Sequence, residues 1–288
     1  MLIRFQNTLF RRSIKVEKKK MIINGKMISY IEKGNVNDPP VLLLHGVPES
    51  SLLWKEMIPC IVSCGFRTIA PDLPGFGQSE QFDESSTWER YEKFVSDFTR
   101  ELKLDKFHLI VHDWGGLIGL KWACDHPERI LSLFVSNTTI SVDYKWHSLA
   151  QIWRTPNAGE KIMKRMSGDP QAQTELKKTI PNIGDEIMED FFRVFRTPES
   201  CKVILDLYRS GNIEKVKSYN QKLNQIKIPV TIIWGEMDPY IPFEFAYKLQ
   251  KEGFPHAQVH IIQNAGHFIQ IEVPDKVNSY IQQHFKNV

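Results

Sequence analysis

Continuously apolar runs alternate with stretches of helical period along most of this chain. PVLLLHG (40–46), FRTIAPD (66–72), FHLIVHD (107–113) and ILSLFVSN (130–137) are such runs. A run with no polar alternation reads as a strand covered on both faces. Between them, 52–64 reads as a helix, and so does 115–126. Tyr91, Phe94, Val95, Phe98 and Leu102 recur at helical spacing and predict an amphipathic helix over 89–103. Ahead of the runs, IINGKMISYIE (22–32) alternates around Asn24-Gly25, a hairpin signal. Strands that alternate with helices imply a mostly parallel sheet flanked by helices.

The alternation stops between 138 and 228. That stretch is helical and irregular, broken at Pro156, Gly168, Pro170, Pro181, Gly184 and Pro198. It resumes at VTIIWGEMD (230–238), then a helix, QVHIIQN (258–264) and a closing helix near 273–286. The expected organisation is a basic N-terminal tail over 1–20, a core built from 21–137 and 229–288, and a helical cap over 138–228. The cap would cover the carboxyl ends of the strands, where such sheets place their sites. A length of 288 residues fits one α/β domain with an insertion, and 42% apolar residues suffice for a large core.

A net charge of +3 is too small to argue for nucleic acid. The basic cluster RRSIKVEKKK (11–20) reads as a solvated tail. The preceding MLIRFQNTLF is short for a signal sequence and is interrupted by Arg4, Gln6 and Asn7. No run has the length of a membrane span, so a membrane partner is not expected. Cys60, Cys64, Cys124 and Cys201 show no ligand grouping, and with no secretion signal they point to a reducing cytoplasm. His108, His112, His126 and His147 form no metal-ligand pattern. No phosphate loop or dinucleotide fingerprint is present, so neither a metal nor a cofactor is expected.

LIVHDWGGLIG (109–119) passes from a strand through a small-residue turn into a helix, with Asp113 at the apex. An aspartate there is also a favoured helix N-cap. Its apolar strand, Trp114 and Gly115-Gly116 favour a nucleophile instead. Asp238 lies just beyond the strand that follows the cap, and His267, in NAGHF, follows the last strand. All three fall at carboxyl ends of strands and can converge. LLLHGVP (42–48) supplies a fourth tight turn at the end of an earlier strand.

On HGVPESSLLWKEMIP, FRTIAPDLPGFGQSE, VHDWGG and AGHFIQIEVP, the chain after residue 21 resembles the α/β-hydrolase superfamily. Within it, the carboxylate-nucleophile branch of haloalkane dehalogenases and epoxide hydrolases is the most similar. The resemblance implies an α/β-hydrolase fold and the order nucleophile, acid, histidine. It also implies an oxyanion hole made by the backbone N–H groups of Val47 and Trp114. His112 is expected to pack behind the site, because strand alternation points it away from Asp113.

A carboxylate suits attack on saturated carbon, with formation of an alkyl-enzyme ester. His267, neutral and oriented by Asp238, would then activate a water that hydrolyses this ester. A departing halide needs donors. Trp114 offers its indole N–H, and a tryptophan early in the cap, Trp153 in preference to Trp146, would be the second. The asparagine that some relatives carry after the His-Gly pair is replaced here by Val47. A departing epoxide oxygen needs an acid, for which Tyr208 is placed well and Tyr144 poorly. SSLLW, Phe268 and GFRTIAPDLPGFGQS favour a small haloalkane, while Pro48-Glu49-Ser50 and Tyr208 favour an epoxide. The expected partners are thus a small apolar substrate and water. Activated esters stay open; a fluorinated acid is disfavoured, because VHDWGG carries no arginine to grip a carboxylate. A binding module without catalysis is the reading of a different class.

Overall fold

The computed structural model describes residues 16–180 and 182–288. The basic residues 11–15, the segment before them and Pro181 lie outside the described residues. Eight strands form one sheet: β1 (Lys19–Ile23), β2 (Lys26–Lys33), β3 (Pro40–Leu44), β4 (Arg67–Pro71), β5 (Phe107–His112), β6 (Ile130–Ser136), β7 (Val230–Gly235) and β8 (Gln258–Ile262). Their spatial order is β1-β2-β4-β3-β5-β6-β7-β8. β2 runs antiparallel to β1 and β4, and the strands from β3 to β8 are parallel. The Asn24-Gly25 turn joins β1 to β2 with both residues at positive φ, the conformation a two-residue hairpin needs.

Alternate residues of each strand feed opposite faces, as the pleat requires. Leu42, Leu44, Val111 and Val135 pack with Phe94, Phe98 and Ile118 on one side. Val41, Leu43, Ile110 and Phe134 pack with Trp54, Ile61, Ile281 and Phe285 on the other. Burial on both sides explains why these strands carry no polar alternation.

In chain order the helices are α1 (Ile58–Ser63), α2 (Trp88–Glu101), α3 (Asp113–Asp125), α4 (Ser148–Arg154), α5 (Ala158–Gly168), α6 (Pro170–Thr179), α7 (Asp185–Phe191), α8 (Pro198–Ser210), α9 (Lys217–Gln225), α10 (Glu244–Gly253), α11 (Ile269–Glu272) and α12 (Pro274–Lys286). Helices α4 to α9 all lie between β6 and β7. Their joints fall at sequence breakers: Pro156 separates α4 from α5, Pro170 opens α6, Gly184 caps α7, and Pro198 opens α8 within a Thr197–Ser200 capping box. No described helix is long and apolar enough to cross a membrane.

Two local expectations are corrected. The helix expected over 52–64 is instead a 3-10 turn, Ser51–Trp54, followed by the short α1. Pro59 has no N–H to donate to the preceding turn, so the ladder restarts around it. The tail expected over 1–20 ends early: β1 begins at Lys19, and the Lys18 side chain is only 4% exposed. A buried lysine is tolerated there because two carboxylates meet it, Asp72 at 2.9 Å and Asp190 at 3.2 Å.

Candidate active site

β5 ends on His112 in extended backbone, and Asp113, the first residue of α3, turns at φ 48°. A non-glycine residue in that region costs roughly 1–3 kcal/mol and persists only where its surroundings demand it. Here two glycines allow the chain to crowd. A side chain at Gly115 would collide with the Leu44 and His45 carbonyls, and one at Gly46 would collide with the Asp113 carboxylate. The Thr138 hydroxyl donates to the Asp113 carbonyl at 2.7 Å and secures the turn. The carboxylate does not cap its own helix. It accepts the Val47 N–H at 2.8 Å and also the Trp114 N–H. Both backbone donors expected from the sequence therefore meet on the expected side chain.

Asp238 and His267 arrive from the loops after β7 and β8. His267 Nδ1 lies 2.8 Å from Asp238 Oδ2, and its Nε2 lies 3.5 Å from Asp113 Oδ2. Asp238 is held by the Tyr240 and Ile241 N–H groups at 2.8 and 3.0 Å and by Asn137 Nδ2 at 2.8 Å. Asn137 escaped notice in the sequence, where it merely ends a strand; at φ 42° it turns its amide toward the acid.

Burial alone would push His267 down, but Asp238 and Asp113 together hold it well above the ordinary histidine range. Burial likewise opposes ionisation of Asp113, yet His267, with His112 and the Trp114 N–H, keeps it below the usual carboxylate range. In the free site both carboxylates thus favour a proton on His267.

His112 is buried, as expected of a residue behind the site. Its Nε2 lies 2.9 Å from Glu49 Oε1, and its ring lies 4.7 Å, centroid to centroid, from that of His267. Glu49 uses its other oxygen to accept the Gly46 N–H at 2.6 Å, so it braces the turn that carries Val47. The sequence placed Glu49 only within the Pro48-Glu49-Ser50 match and gave it no role, because its partners come from β5 and from its own turn. Among the described residues, Glu49, His112 and His267 bring three potential metal-ligand atoms within 4.8 Å of one another. His267 faces carboxylates with both its nitrogens, so the grouping is explained without an ion.

Above the triad lies a cavity of about 60 Å³ lined by Asp113, Trp114, His147, Trp153, Tyr208 and His267, among others. By the measure in which a water needs about 10–15 Å³, it has room for four or five small groups. Trp114 lines this space with its ring edge-on to Tyr208, 5.1 Å between centroids. Trp153 Nε1 is buried with no hydrogen-bond partner among the described residues. Trp146 also lines the cavity, stacked on Trp114 at 18° between planes and 5.7 Å between centroids.

Tyr208 is buried. Its hydroxyl is kept neutral, first by burial and then by the Asp113 charge. Tyr144 lines the same cavity, but its hydroxyl donates to the Tyr240 carbonyl at 3.3 Å. His147 was set aside in the sequence as no metal ligand. Its Nδ1 accepts the Ala150 N–H at 3.2 Å, capping α4, while burial lowers its pKa. It is thus a neutral ring on the cavity wall.

The chain matches a family model described as alpha/beta hydrolase fold over residues 39–160 and 169–274. It is 42% identical over 256 residues to a haloalkane dehalogenase of Mycobacterium marinum, an alignment covering 84% of this chain and 82% of that protein. Among solved structures, a haloalkane dehalogenase from Bradyrhizobium elkani USDA94 superposes with a TM-score of 0.82 at 22% identity, over 94% of this chain and 98% of the other. The epoxide hydrolase CorEH superposes with a TM-score of 0.78 at 24% identity, over 94% and 99%. At those identities the structural likeness speaks to the fold alone.

Proposed function

This chain belongs to the α/β-hydrolase family and is a hydrolase, and from that premise we propose that it releases halide from small haloalkanes through an aspartyl ester. The observation that carries this reading is a carboxylate, where a hydroxyl would serve acyl transfer, at the apex of a strained turn with Val47 N–H 2.8 Å away. Residues 138–228 act as the cap and 21–137 with 229–288 as the core.

Asp113 attacks the carbon that bears the halogen. The carbon–halogen bond breaks, and the halide leaves toward the Trp114 and Trp153 indole N–H groups and the Tyr208 hydroxyl. Esterification removes the Asp113 charge, one of the two that held the His267 proton. His267 gives that proton to solvent and becomes the base. It then takes a proton from water, and the hydroxide adds to the ester carbonyl. The Val47 and Trp114 N–H groups hold the oxyanion; a single such donor is worth roughly 3 kcal/mol. Collapse releases the alcohol and restores the carboxylate.

One observation favours a second reading, epoxide hydrolysis. Tyr208 lines the cavity and burial keeps its hydroxyl neutral, with a proton to give to an opening ring oxygen. A trap separates the two. The His267→Phe protein, incubated with 1-bromobutane or with an epoxide, is expected to stall at the ester because its hydrolysis has lost its base. A mass gain of one butyl group with bromide released supports dehalogenation. A gain of the whole epoxide, with none from the bromoalkane, supports the second reading. No gain from either would sink both.

The donors give a further expected outcome. Trp153→Phe should lower bromide release by roughly ten- to a hundredfold, the size of one or two hydrogen bonds to a charged group. Tyr208→Phe should cost less than Trp153→Phe on a bromoalkane. A larger loss at Tyr208, measured as initial rate of bromide release, would make its hydroxyl the main halide donor, whereas a collapse of epoxide opening in Tyr208→Phe would reverse the order of the two readings.

A further inference from the structure

Lys18 precedes the first strand, far in sequence from any motif, yet its ammonium is buried under the site. It lies 3.1 and 2.9 Å from the two oxygens of Asp72 and 3.2 Å from Asp190 Oδ2. The side chains of Asp72 and Asp190 are 0% and 6% exposed. Asp72 follows β4. Its Oδ1 accepts both the N–H and the hydroxyl of Ser51, at 2.9 and 2.5 Å. Asp190 sits on α7, and its Oδ2 accepts the Ser50 hydroxyl. Arg193 reaches the other oxygen of Asp190 at 3.3 Å, but from a half-exposed position. Lys18 is thus the buried cation that two buried carboxylates share. Each carboxylate in turn grips one of two adjacent serines. Val16 packs against the neighbouring apolar cluster and keeps the segment in place.

Those serines end the turn that begins at Gly46. Gly46 is braced by Glu49, Val47 presents its N–H to Asp113, and Ser50 and Ser51 are fastened through Asp190 and Asp72. We propose that Lys18 is a positioning residue for the reaction: it clasps α7 and the Ser50–Ser51 segment together, and so fixes the Val47 oxyanion donor. This rests on the aspartyl-ester reading above.

The two chemical steps use the Val47 N–H differently. In the free site it stabilises the Asp113 carboxylate, whose charge is lost as the ester forms; a loosened donor does not slow that step. In ester hydrolysis the same donor meets a developing oxyanion, and a loosened donor slows the reaction. A clasp mutant should therefore accumulate ester, which a protein merely less stable would not do.

The experiment is turnover of 1-bromobutane by full-length Lys18→Met, with intact mass read at steady state. Deleting an oxyanion donor outright costs roughly a hundredfold or more, so a misplaced one should lower kcat by about tenfold. The butyl ester should be visible in the variant and absent from the wild type. Lys18→Met leaves two buried carboxylates without their cation, so Lys18→Met/Asp190→Asn is made beside it. The double variant removes one charge but leaves the clasp open, and it should fold better yet still accumulate ester. Wild-type kcat with no ester, in either variant folded by circular dichroism, overturns the role of Lys18 while an ester in His267→Phe preserves the mechanism. No ester in His267→Phe overturns both.

Discussion

Replacing Asp113 with alanine is expected to abolish turnover, by roughly four orders of magnitude or more, the range seen when a member of such a nucleophilic unit is removed. The geometry argues against a fallback in which water attacks the substrate directly. That route needs a base in the free site, and there Asp238 and Asp113 favour a proton on His267. Removing Asp113 frees His267 from one carboxylate but leaves no oxyanion to place on the Val47 and Trp114 N–H groups. A single turnover in ¹⁸O-labelled water is the sharper measurement on the wild type. Hydroxide that adds to an ester carbonyl leaves its oxygen in Asp113, so the first alcohol released should carry none of the label. Labelled alcohol in the first turnover, or bromide release surviving in Asp113→Ala, would end the aspartyl-ester reading.

The parts of this site that were legible in the sequence are those that local pattern determines. An apolar strand, a turn of small residues and a helical period locate Asp113 without any tertiary knowledge. The loops after the last two strands locate Asp238 and His267, because a parallel sheet gathers its strand ends on one edge. The breakers Pro156, Pro170, Gly184 and Pro198 marked real helix joints for the same local reason. What was missed depends on partners distant in the chain. Lys18 belongs to a basic run and read as solvated; only the convergence of Asp72 and Asp190, 54 and 172 residues away, makes burial tolerable. The pull of two carboxylates on the His267 proton likewise comes from other loops. Glu49 and Asn137 carry no motif of their own and acquire their roles from β5, β6 and the β7 loop. The packing of Tyr208, from α8, edge-on against Trp114 is also a contact between distant parts of the chain.

Away from the site, the fold should lose stability sharply between pH 6.5 and pH 4. His108 on β5 and His284 on α12 are both buried and share one hydroxyl. Ser132 Oγ lies 2.7 Å from His108 Nδ1 and 2.8 Å from His284 Nε2, and Thr231 Oγ1 lies 2.9 Å from His284 Nδ1. No carboxylate faces either ring in this chain of contacts. Phe66 and Phe285 pack on His108, and Phe134 and Phe285 on His284. Burial pushes each histidine down to about 4. The unfolded chain binds these two protons near pH 6.5 and the folded chain does not, so stability is fully present above 6.5 and is lost as pH falls toward 4. At about 1.4 kcal/mol per pH unit, each histidine accounts for roughly 3 kcal/mol across that window, a large part of the 5–15 kcal/mol of an ordinary domain. Urea denaturation at pH 7.0, 5.5 and 4.5 measures the slope. His284→Gln keeps an amide between Ser132 and Thr231 but cannot titrate, and it should remove its own share of that loss, roughly 3 kcal/mol across the window, while leaving the pH 7.0 midpoint lower by no more than a lost hydrogen bond, roughly 1 kcal/mol. An unchanged slope in His284→Gln would mean that acid unfolds this protein through other groups.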